Sequence, residues 1–265
     1  MLENLKPVSN NNSLRQVTSS VFSNTPLINP SRFEKYIDEL NGYQKFEVIK
    51  KNAFNIQIKN SNINSNNLTS KEVEVGFRIV GFEEGRTNKL LIAQENNINN
   101  GKLSVYNYQS LKYPTWNNFK LGFLNDFRII SIEDNPFINA ISLNYLNEFY
   151  WDSNDDIVID EIFNKDADFL PKKFFNSQNS SFLINTEDYK DTFKSIEKIE
   201  IVVSKHKKTI QINSQLVFEL IDPIKFNDSI VNNKLSEYFE DIHSEIKNTL
   251  NFLFTEEVKT KINFK

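Results

Sequence analysis

The sequence predicts an α+β fold: mainly antiparallel sheets in two similar sheet-plus-helix halves, ending in a long C-terminal amphipathic helix. Ahead of the C-terminus lie several short segments of alternating polar and apolar residues, which favour strands joined by short turns. The strongest observation comes after them, where apolar residues recur every three or four positions, as on one face of a helix. These residues are Leu235, Tyr238, Phe239, Ile242, Ile246, Leu250 and Leu253.

The chain is expected to divide at residue 30. Residues 1–30 form an N-terminal extension rich in Asn, Ser and Thr, which we expect to be mobile or to lie along its own fold or a partner. Residues 31–265 form a single α+β domain, with halves at 31–150 and 151–265. The two halves share a succession of strands followed by a helix, and they share no residue pattern.

The elements of the first half follow from local signals. Ser31 is a helix cap before residues 32–40. Residues 72–79 form the clearest strand, because every second residue from Val73 is apolar. Asn100-Gly101 indicates a hairpin turn, and Pro114 opens a helix that reaches residue 130. Further strands, a short helix over residues 156–163 and the terminal helix make up the second half.

Composition excludes several classes of function. The net charge of −4 argues against a general electrostatic grip on nucleic acid. The absence of cysteine excludes disulfides, thiolate metal sites and cysteine nucleophiles. No segment reaches the roughly 18 apolar residues that a membrane span needs. We therefore expect a cytoplasmic protein that does not bind membranes and carries no cofactor.

Three consecutive rings, Phe149, Tyr150 and Trp151, end a predicted strand. Successive strand residues point to opposite faces, so these three rings cannot all enter one core. At least one should meet solvent, the N-terminal extension or another chain. We therefore predict that this triplet is a protein-contact surface, whereas core filling is the expectation for most other aromatic residues.

Basic residues are clustered at two places, and both are candidate nucleic-acid contacts. One is the predicted turn Lys205-His206-Lys207-Lys208, and the other is the pair Lys172 and Lys173. Clustered ammonium groups bind phosphates and release counterions from nucleic acid. The alternative is a solvated hairpin tip that protects the edge of a sheet.

Acidic residues between 152 and 161 are the only candidates for a metal site. Carboxylates of this kind bind Mg²⁺ in nucleases, but Asp155 and Asp156 begin a predicted helix, where negative charge is favourable against the backbone dipole. Two histidines and no cysteine leave little material for a His-based metal site or a Ser-His triad. We predict no catalytic, metal or cofactor-binding residues. The acidic set is Asp152, Asp155, Asp156, Asp160 and Glu161.

Three segments lie in the same order as the motifs of a known family. The first is Val75-Gly76-Phe77-Arg78 with the later Tyr113-Pro114-Thr115-Trp116-Asn117-Asn118-Phe119, and the second is Ile141-Ser142-Leu143-Asn144-Tyr145-Leu146-Asn147. The third is Leu235 to Ile262, with Ile242-His243 inside the terminal helix and Thr255-Glu256-Glu257 after it. This order resembles a sporadically distributed prokaryotic family of uncharacterised proteins of about this length. The match covers residues 72–264. Asn144 stands where the family has Arg, and the family's Pro- and Glu-containing first strand is replaced by the Asn/Ser-rich extension. The family pattern contains no catalytic residues to carry over.

The resemblance implies a passenger of mobile and phage-defence loci. The chain is rich in Asn, Lys and Ile, which is typical of proteins from AT-rich genomes. This composition is similar to that of flavobacterial proteins, among which small accessory proteins partner with Cas9-type nucleases. We therefore predict a non-catalytic accessory protein of a phage-defence system, a homodimer that binds a larger effector such as a Cas9-type nuclease with its guide RNA and DNA. A nucleic-acid-binding module using the Lys-rich hairpin and a metal-dependent hydrolase are the alternatives.

Overall fold

The computed structural model describes residues 2–9, 12–55, 58–59, 62–63, 69–98, 101–113, 115–176, 179–231 and 233–264. Most of this part of the chain is extended. Its strands, in chain order, are β1 (Leu5–Pro7), β2 (Leu14–Ser23), β3 (Lys45–Asn55), β4 (Ile58–Lys59), β5 (Asn62–Ile63), β6 (Thr69–Glu83), β7 (Arg86–Ile98), β8 (Gly101–Ser110), β9 (Phe137–Trp151), β10 (Asn179–Tyr189), β11 (Phe193–Ser204) and β12 (Thr209–Lys225).

Helices fill the connections between strands and the C-terminal region. Within the ranges given above, none is long and apolar enough to cross a membrane. Short 3₁₀ helices cover Leu2–Asn4 and Pro30–Tyr36. The α-helices are α1 (Trp116–Ser131), α2 (Ile159–Ile162), α3 (Lys172–Phe175), α4 (Phe226–Val231), α5 (Lys234–Leu253) and α6 (Glu256–Lys261).

One ten-stranded antiparallel sheet forms the body of the protein. Its order is β10-β11-β12-β9-β2-β8-β7-β6-β3, and β1 pairs with the end of β9. Strands β4 and β5 form a separate small sheet. The predicted division into two similar sheet-plus-helix halves is therefore wrong, since β9 pairs with β2 from the start of the chain and with β12 from near its end. Alternation identifies strands, but it does not identify their partners.

The predicted α+β class with a long helix as the closing element is also wrong. The structure is mostly antiparallel sheet, with 48% of residues in strands and 27% in helices. Helix α5 ends at Leu253, where Phe254 takes an extended conformation and forms a bridge with Phe163. The short helix α6 then follows. The apolar spacing located a helical face that covers the sheet, but it carried no information about the turn after Leu253.

Residues 1–30 do not stand apart from the sheet. Strand β2 lies between β9 and β8, in the middle of the strand order. Val17 and Val21 are buried in the core, while the Ser20 hydroxyl donates a hydrogen bond to the Asn107 side chain at 2.7 Å. The expected domain boundary at residue 30 therefore divides a single sheet.

Some of the individual helices and strands predicted from the sequence are present in the structure, and others are not. The helix expected over residues 32–40 is replaced by the 3₁₀ helix Pro30–Tyr36 and a turn. The predicted strand 72–79 lies inside β6. Pro114, expected to open a helix, and Asn100, expected in a hairpin turn, lie outside the described residues.

Helices α1 and α5 cover the inner, apolar face of the sheet. Six apolar residues of α5 are buried against the sheet and against α1. The rings of Phe123 in α1 and Phe239 in α5 meet edge to face, with centroids 4.5 Å apart. Such pairs add to the stabilisation that comes from area burial alone. The buried residues of α5 are Leu235, Phe239, Ile242, Ile246, Leu250 and Leu253.

The Gly-Phe-Arg motif builds the far part of the sheet. A Cβ atom on Gly76 would overlap the Ala93 carbonyl oxygen, so no side chain fits there. Phe77 is fully buried and stacks on Phe33. Arg78 points the other way and donates to Glu47 at 2.8 Å. These contacts give the motif a structural role in β6.

A buried carboxyl group lies on α1. Asp126 is 4% exposed and accepts a hydrogen bond of 2.8 Å from the Tyr43 hydroxyl. Burial raises the pKa of Asp126 to about 6, against a smaller opposing effect of Lys89. A raised folded pKa means that the folded state binds this proton more tightly than the unfolded chain. The stabilising contribution is therefore complete below the unfolded pKa and is lost as pH rises through about 6.

The substitution Asp126→Asn should remove this pH dependence, because the amide carries no charge to bury. Relative to wild type, the variant should gain stability between pH 4.5 and pH 8, by up to about 3 kcal/mol for a shift of about two pKa units. Urea denaturation across this range measures the difference. Asp38→Asn, at an exposed carboxylate, is the matched control and should show no such trend. If the free energies of unfolding of wild type and Asp126→Asn differ by the same amount at the two ends of this pH range, the raised pKa of Asp126 is contradicted.

Candidate functional site

A cleft of about 400 Å³ opens where the start of α1, the middle of β9, helix α5 and the C-terminal residues meet. We call it the aromatic cleft, because rings form much of its wall. Among the described residues, no Asp or Glu side chain lines it. The lining residues are Asn12, Ser13, Leu14, Tyr113, Thr115, Trp116, Tyr145, Asn147, His243, Lys247, Leu250, Ile262, Asn263 and Phe264.

Two stacked rings form one part of the cleft. Trp116 and His243 lie nearly parallel, at 10° between their planes and 4.2 Å between centroids. Helix α1 begins here because the Thr115 hydroxyl oxygen accepts a hydrogen bond of 3.3 Å from the Asn118 backbone N–H. This cap fixes Trp116 as the first helical residue and directs its ring toward α5.

Glu240 holds the stack in place and does not line the cleft itself. Its Oε2 accepts a hydrogen bond of 2.7 Å from Trp116 Nε1, and its Oε1 pairs with the Lys120 ammonium group. Burial opposes the charge of Glu240, but these two donors hold the pKa of its carboxyl group below the ordinary value. The carboxylate nearest to the stacked rings therefore already has both oxygens paired.

His243 is also fixed from the side of the sheet. The Tyr145 hydroxyl and His243 Nδ1 are joined by a hydrogen bond of 2.5 Å. Burial, followed by the charge of Lys247, lowers the pKa of His243 to about 4. Burial, reinforced by the neighbouring Tyr113, raises the pKa of Tyr145 well above the ordinary tyrosine value. Both groups are therefore neutral at physiological pH.

Asn147 and Lys247 each bring a nitrogen donor to the lining of the cleft. Asn147 is 3% exposed, and its Oδ1 accepts a hydrogen bond of 2.8 Å from the Ser13 hydroxyl. Its Nδ2 has no hydrogen-bond partner in the described part of the chain. The ammonium group of Lys247 lies 5.9 Å from the Phe264 ring centroid and has no carboxylate within 4.0 Å among the described residues.

The segments that carry the motif resemblance converge on this cleft. Tyr113 and Trp116 come from the second part of the first motif, Tyr145 and Asn147 from the strand motif, and His243 from the helix motif. Sequence reasoning assigned most rings to core filling and placed His243 in the terminal helix. The sequence pointed to these residues only through the order of the three motifs. That order does not show that the motifs lie in contact in the folded protein.

The predicted protein-contact triplet divides between the two faces of β9. Phe149 and Trp151 are buried, and Phe149 meets the Phe254 ring at 5.8 Å. Tyr150 is 43% exposed, and its hydroxyl donates to Glu148 at 3.0 Å. Strand β1 pairs with all three residues, so the N-terminal segment runs alongside them. Tyr150 is the member of the triplet that a partner can reach.

The structure brings the two groups of candidate nucleic-acid contacts to the same end of the sheet. Asn179, at the start of β10 just after α3 with Lys172 and Lys173, accepts a hydrogen bond of 3.1 Å from the Lys205 backbone N–H. The Lys208 ammonium group donates to the carbonyl oxygens of Asn154 and Asp155 and so anchors the neighbouring loop. His206 and Lys207 are exposed in the turn.

The acidic residues between 152 and 161 do not form a metal cluster. In the described residues, no group of three or more His, Asp or Glu side chains is arranged to hold a metal ion. Asp160 pairs with Lys165 at 2.6 Å, and this hydrogen bond lowers the pKa of Asp160. Asp155 accepts a hydrogen bond from the Ser153 hydroxyl at 3.0 Å.

Comparison with protein families and with curated proteins found no relative of this chain. No protein-family model matches the chain, and no curated protein matches its sequence significantly.

The neutral state of His243 can be measured directly. His206→Gln leaves His243 as the only histidine, since the chain has two. Because burial lowers its pKa to about 4, we expect its ring proton resonances to stay constant from pH 8 down to pH 5.5 and to shift only below it. NMR titration gives the midpoint. A midpoint at pH 6 or higher would show that the ring is not enclosed as described.

Proposed function

We propose that this protein is a non-catalytic accessory protein of a bacterial phage-defence system. In this proposal it is cytoplasmic, forms a homodimer, and binds and supports an RNA-guided nuclease of the Cas9 type. The motif order supports the defence context. An exposed edge of the large sheet, uncharged over residues 179–186, supports binding to other protein chains, and this observation carries the proposal.

The edge strand β10 is the last strand in the sheet order on its side. Its residues 179–186 include no charged side chain, although natural proteins usually protect such edges with charges, prolines or short strands. Leu183 is 56% exposed on the outer face, and Tyr189 at the end of the strand is 73% exposed. An edge of this kind is suited to receive a strand from another chain.

A groove of about 370 Å³ runs beside the same edge on the inner face. Ile184 of β10, Phe169 of the preceding loop and Phe252 of α5 line it. Phe252 is 64% exposed, which is unusual for a large ring on a helix that otherwise buries its apolar side chains. The edge and the groove together offer main-chain hydrogen bonds and pockets for apolar side chains.

A second copy of the chain fits this edge. Two β10 strands can pair antiparallel about a twofold axis, which is the self-complementary arrangement of the commonest homodimers. Pairing would join the two sheets and cover Leu183 of each copy. Because the twofold axis places Leu183 of both copies at the same interface, one substitution there introduces two charges into the dimer.

Leu183→Lys should dissociate the homodimer, because pairing would place two ammonium groups close together at the new interface. We expect wild type to elute at twice the 31.0 kDa mass of the chain and the variant to elute as a monomer. The dimer dissociation constant should rise by about tenfold or more. Size exclusion with light scattering measures the mass. Leu121→Lys, at a residue of α1 that is 64% exposed, is the matched control and should remain dimeric.

The same samples test the accessory role. Wild-type protein should co-elute with a Cas9-type nuclease loaded with guide RNA from the same genomic neighbourhood. A wild-type chain that stays monomeric at micromolar concentration and binds no such nuclease contradicts the proposal.

A second candidate function is nucleic-acid binding. The observation that favours it is the arrangement of α3 and the 205–208 turn at one end of the sheet. The double substitution Lys205→Glu with Lys207→Glu should weaken binding of single-stranded RNA by about tenfold or more and reduce its dependence on salt. Lys51→Glu with Lys71→Glu makes the same charge change at exposed residues of β3 and β6 and should have little effect. Fluorescence anisotropy at two salt concentrations measures both quantities, and equal effects of the two variants count against this function.

A further inference from the structure

The aromatic cleft has the size and composition of a ligand site. Its volume of about 400 Å³ lies within the range of small-molecule pockets, roughly 300–1,000 Å³. Such pockets combine apolar walls with a few polar groups that fix the ligand's orientation. Here the stacked Trp116 and His243, together with Tyr113 and Phe264, supply the walls.

A buried donor points to what the cleft binds. Asn147 is almost fully buried and lines the cleft, and its Nδ2 is without a partner in the described residues. Its Oδ1 is taken by the Ser13 hydroxyl, which fixes the orientation of the amide. Leaving a buried donor unpaired is unfavourable, and a ligand atom that accepts its hydrogen bond removes this penalty.

Charge in the cleft has one sign. Lys247 lines the cleft and has no carboxylate within ion-pair distance in the described part of the chain, and no acidic side chain lines the cleft there. His243 is neutral, so the lysine is the source of positive charge in the wall. The most suitable ligand is therefore an anion that also carries a flat ring for the aromatic walls.

We propose that the aromatic cleft binds a small molecule in which a planar ring carries an anionic group. The ring packs against the Trp116 and His243 side of the wall. The anionic oxygens accept hydrogen bonds from Lys247 Nζ and Asn147 Nδ2. An aromatic carboxylate and a nucleoside monophosphate share this chemistry. This site is separate from the edge strand β10, and it does not depend on the accessory function.

Calorimetry with matched pairs of probes tests the site in the full-length protein. Indole-3-acetate is compared with the neutral indole-3-acetamide, and AMP is compared with adenosine. At least one anion should bind, and at least about tenfold more tightly than its neutral partner, because the charge-assisted hydrogen bond to Lys247 is lost with the charge. Which of the two anions binds identifies the anionic group of the ligand as a carboxylate or a phosphate.

Variants assign the binding to this cleft. Lys247→Gln should weaken the anion by about tenfold. Lys234→Gln, at the exposed start of the same helix, is the matched control and should change affinity less than twofold, within the scatter of surface substitutions. Asn147→Asp replaces the free donor with a negative charge and should abolish binding, while Lys247→Gln covers the case in which that variant does not fold.

Three results overturn the inference. The first is that neither anion binds at millimolar concentration. The second is that the neutral partner binds as tightly as the anion. The third is that Lys247→Gln and Lys234→Gln affect binding equally.

Discussion

Packing of α1 against α5 over the middle of one large sheet is the constraint on which the other features of this structure depend. Ten strands present a broad apolar face, and two helices that are distant in sequence lie side by side to cover it. Their contact is centred on the rings of Phe123 and Phe239. Because α1 begins beside the middle of α5, Trp116 is brought onto His243, and the aromatic cleft forms where this helical layer ends above β9.

The wall of the cleft combines buried polar groups with aromatic rings. Removing a hydroxyl or an imidazole from water costs free energy unless the group finds a partner, and Tyr145 and His243 find each other. Ser13 satisfies one end of the Asn147 amide, and Glu240 satisfies the indole N–H of Trp116. Among these cleft groups in the described part of the chain, the Asn147 amide nitrogen is left without a partner, so the polar imbalance and the open volume coincide. That coincidence distinguishes this cleft from a simple packing defect, which would be lined by apolar atoms alone.

Sequence reasoning succeeded where the signal was local and failed where it was long-range. The apolar spacing after Leu235 located the buried face of α5, and alternation located the central part of β6, because both patterns are set by neighbours in the chain. Strand β2 gave no such signal, since its Ser- and Thr-rich sequence reads as a loop and its stability comes from β9, more than a hundred residues later. The cleft was missed for the same reason: Trp116 and His243 touch across 127 residues (243 minus 116), and periodicity cannot report that contact.

Helix α5 lies between the two surfaces that we propose as binding sites. His243 and Lys247 line the aromatic cleft, whereas Thr249 and Phe252 line the groove beside β10. A ligand in the cleft would contact His243 and Lys247, whereas Thr249 and Phe252 line a different cavity. Six buried apolar residues hold the helix against the sheet, and moving it would disturb a close-packed core. Both surfaces are thus preformed on a rigid element, and the free-energy effects of changes at the two sites should be additive.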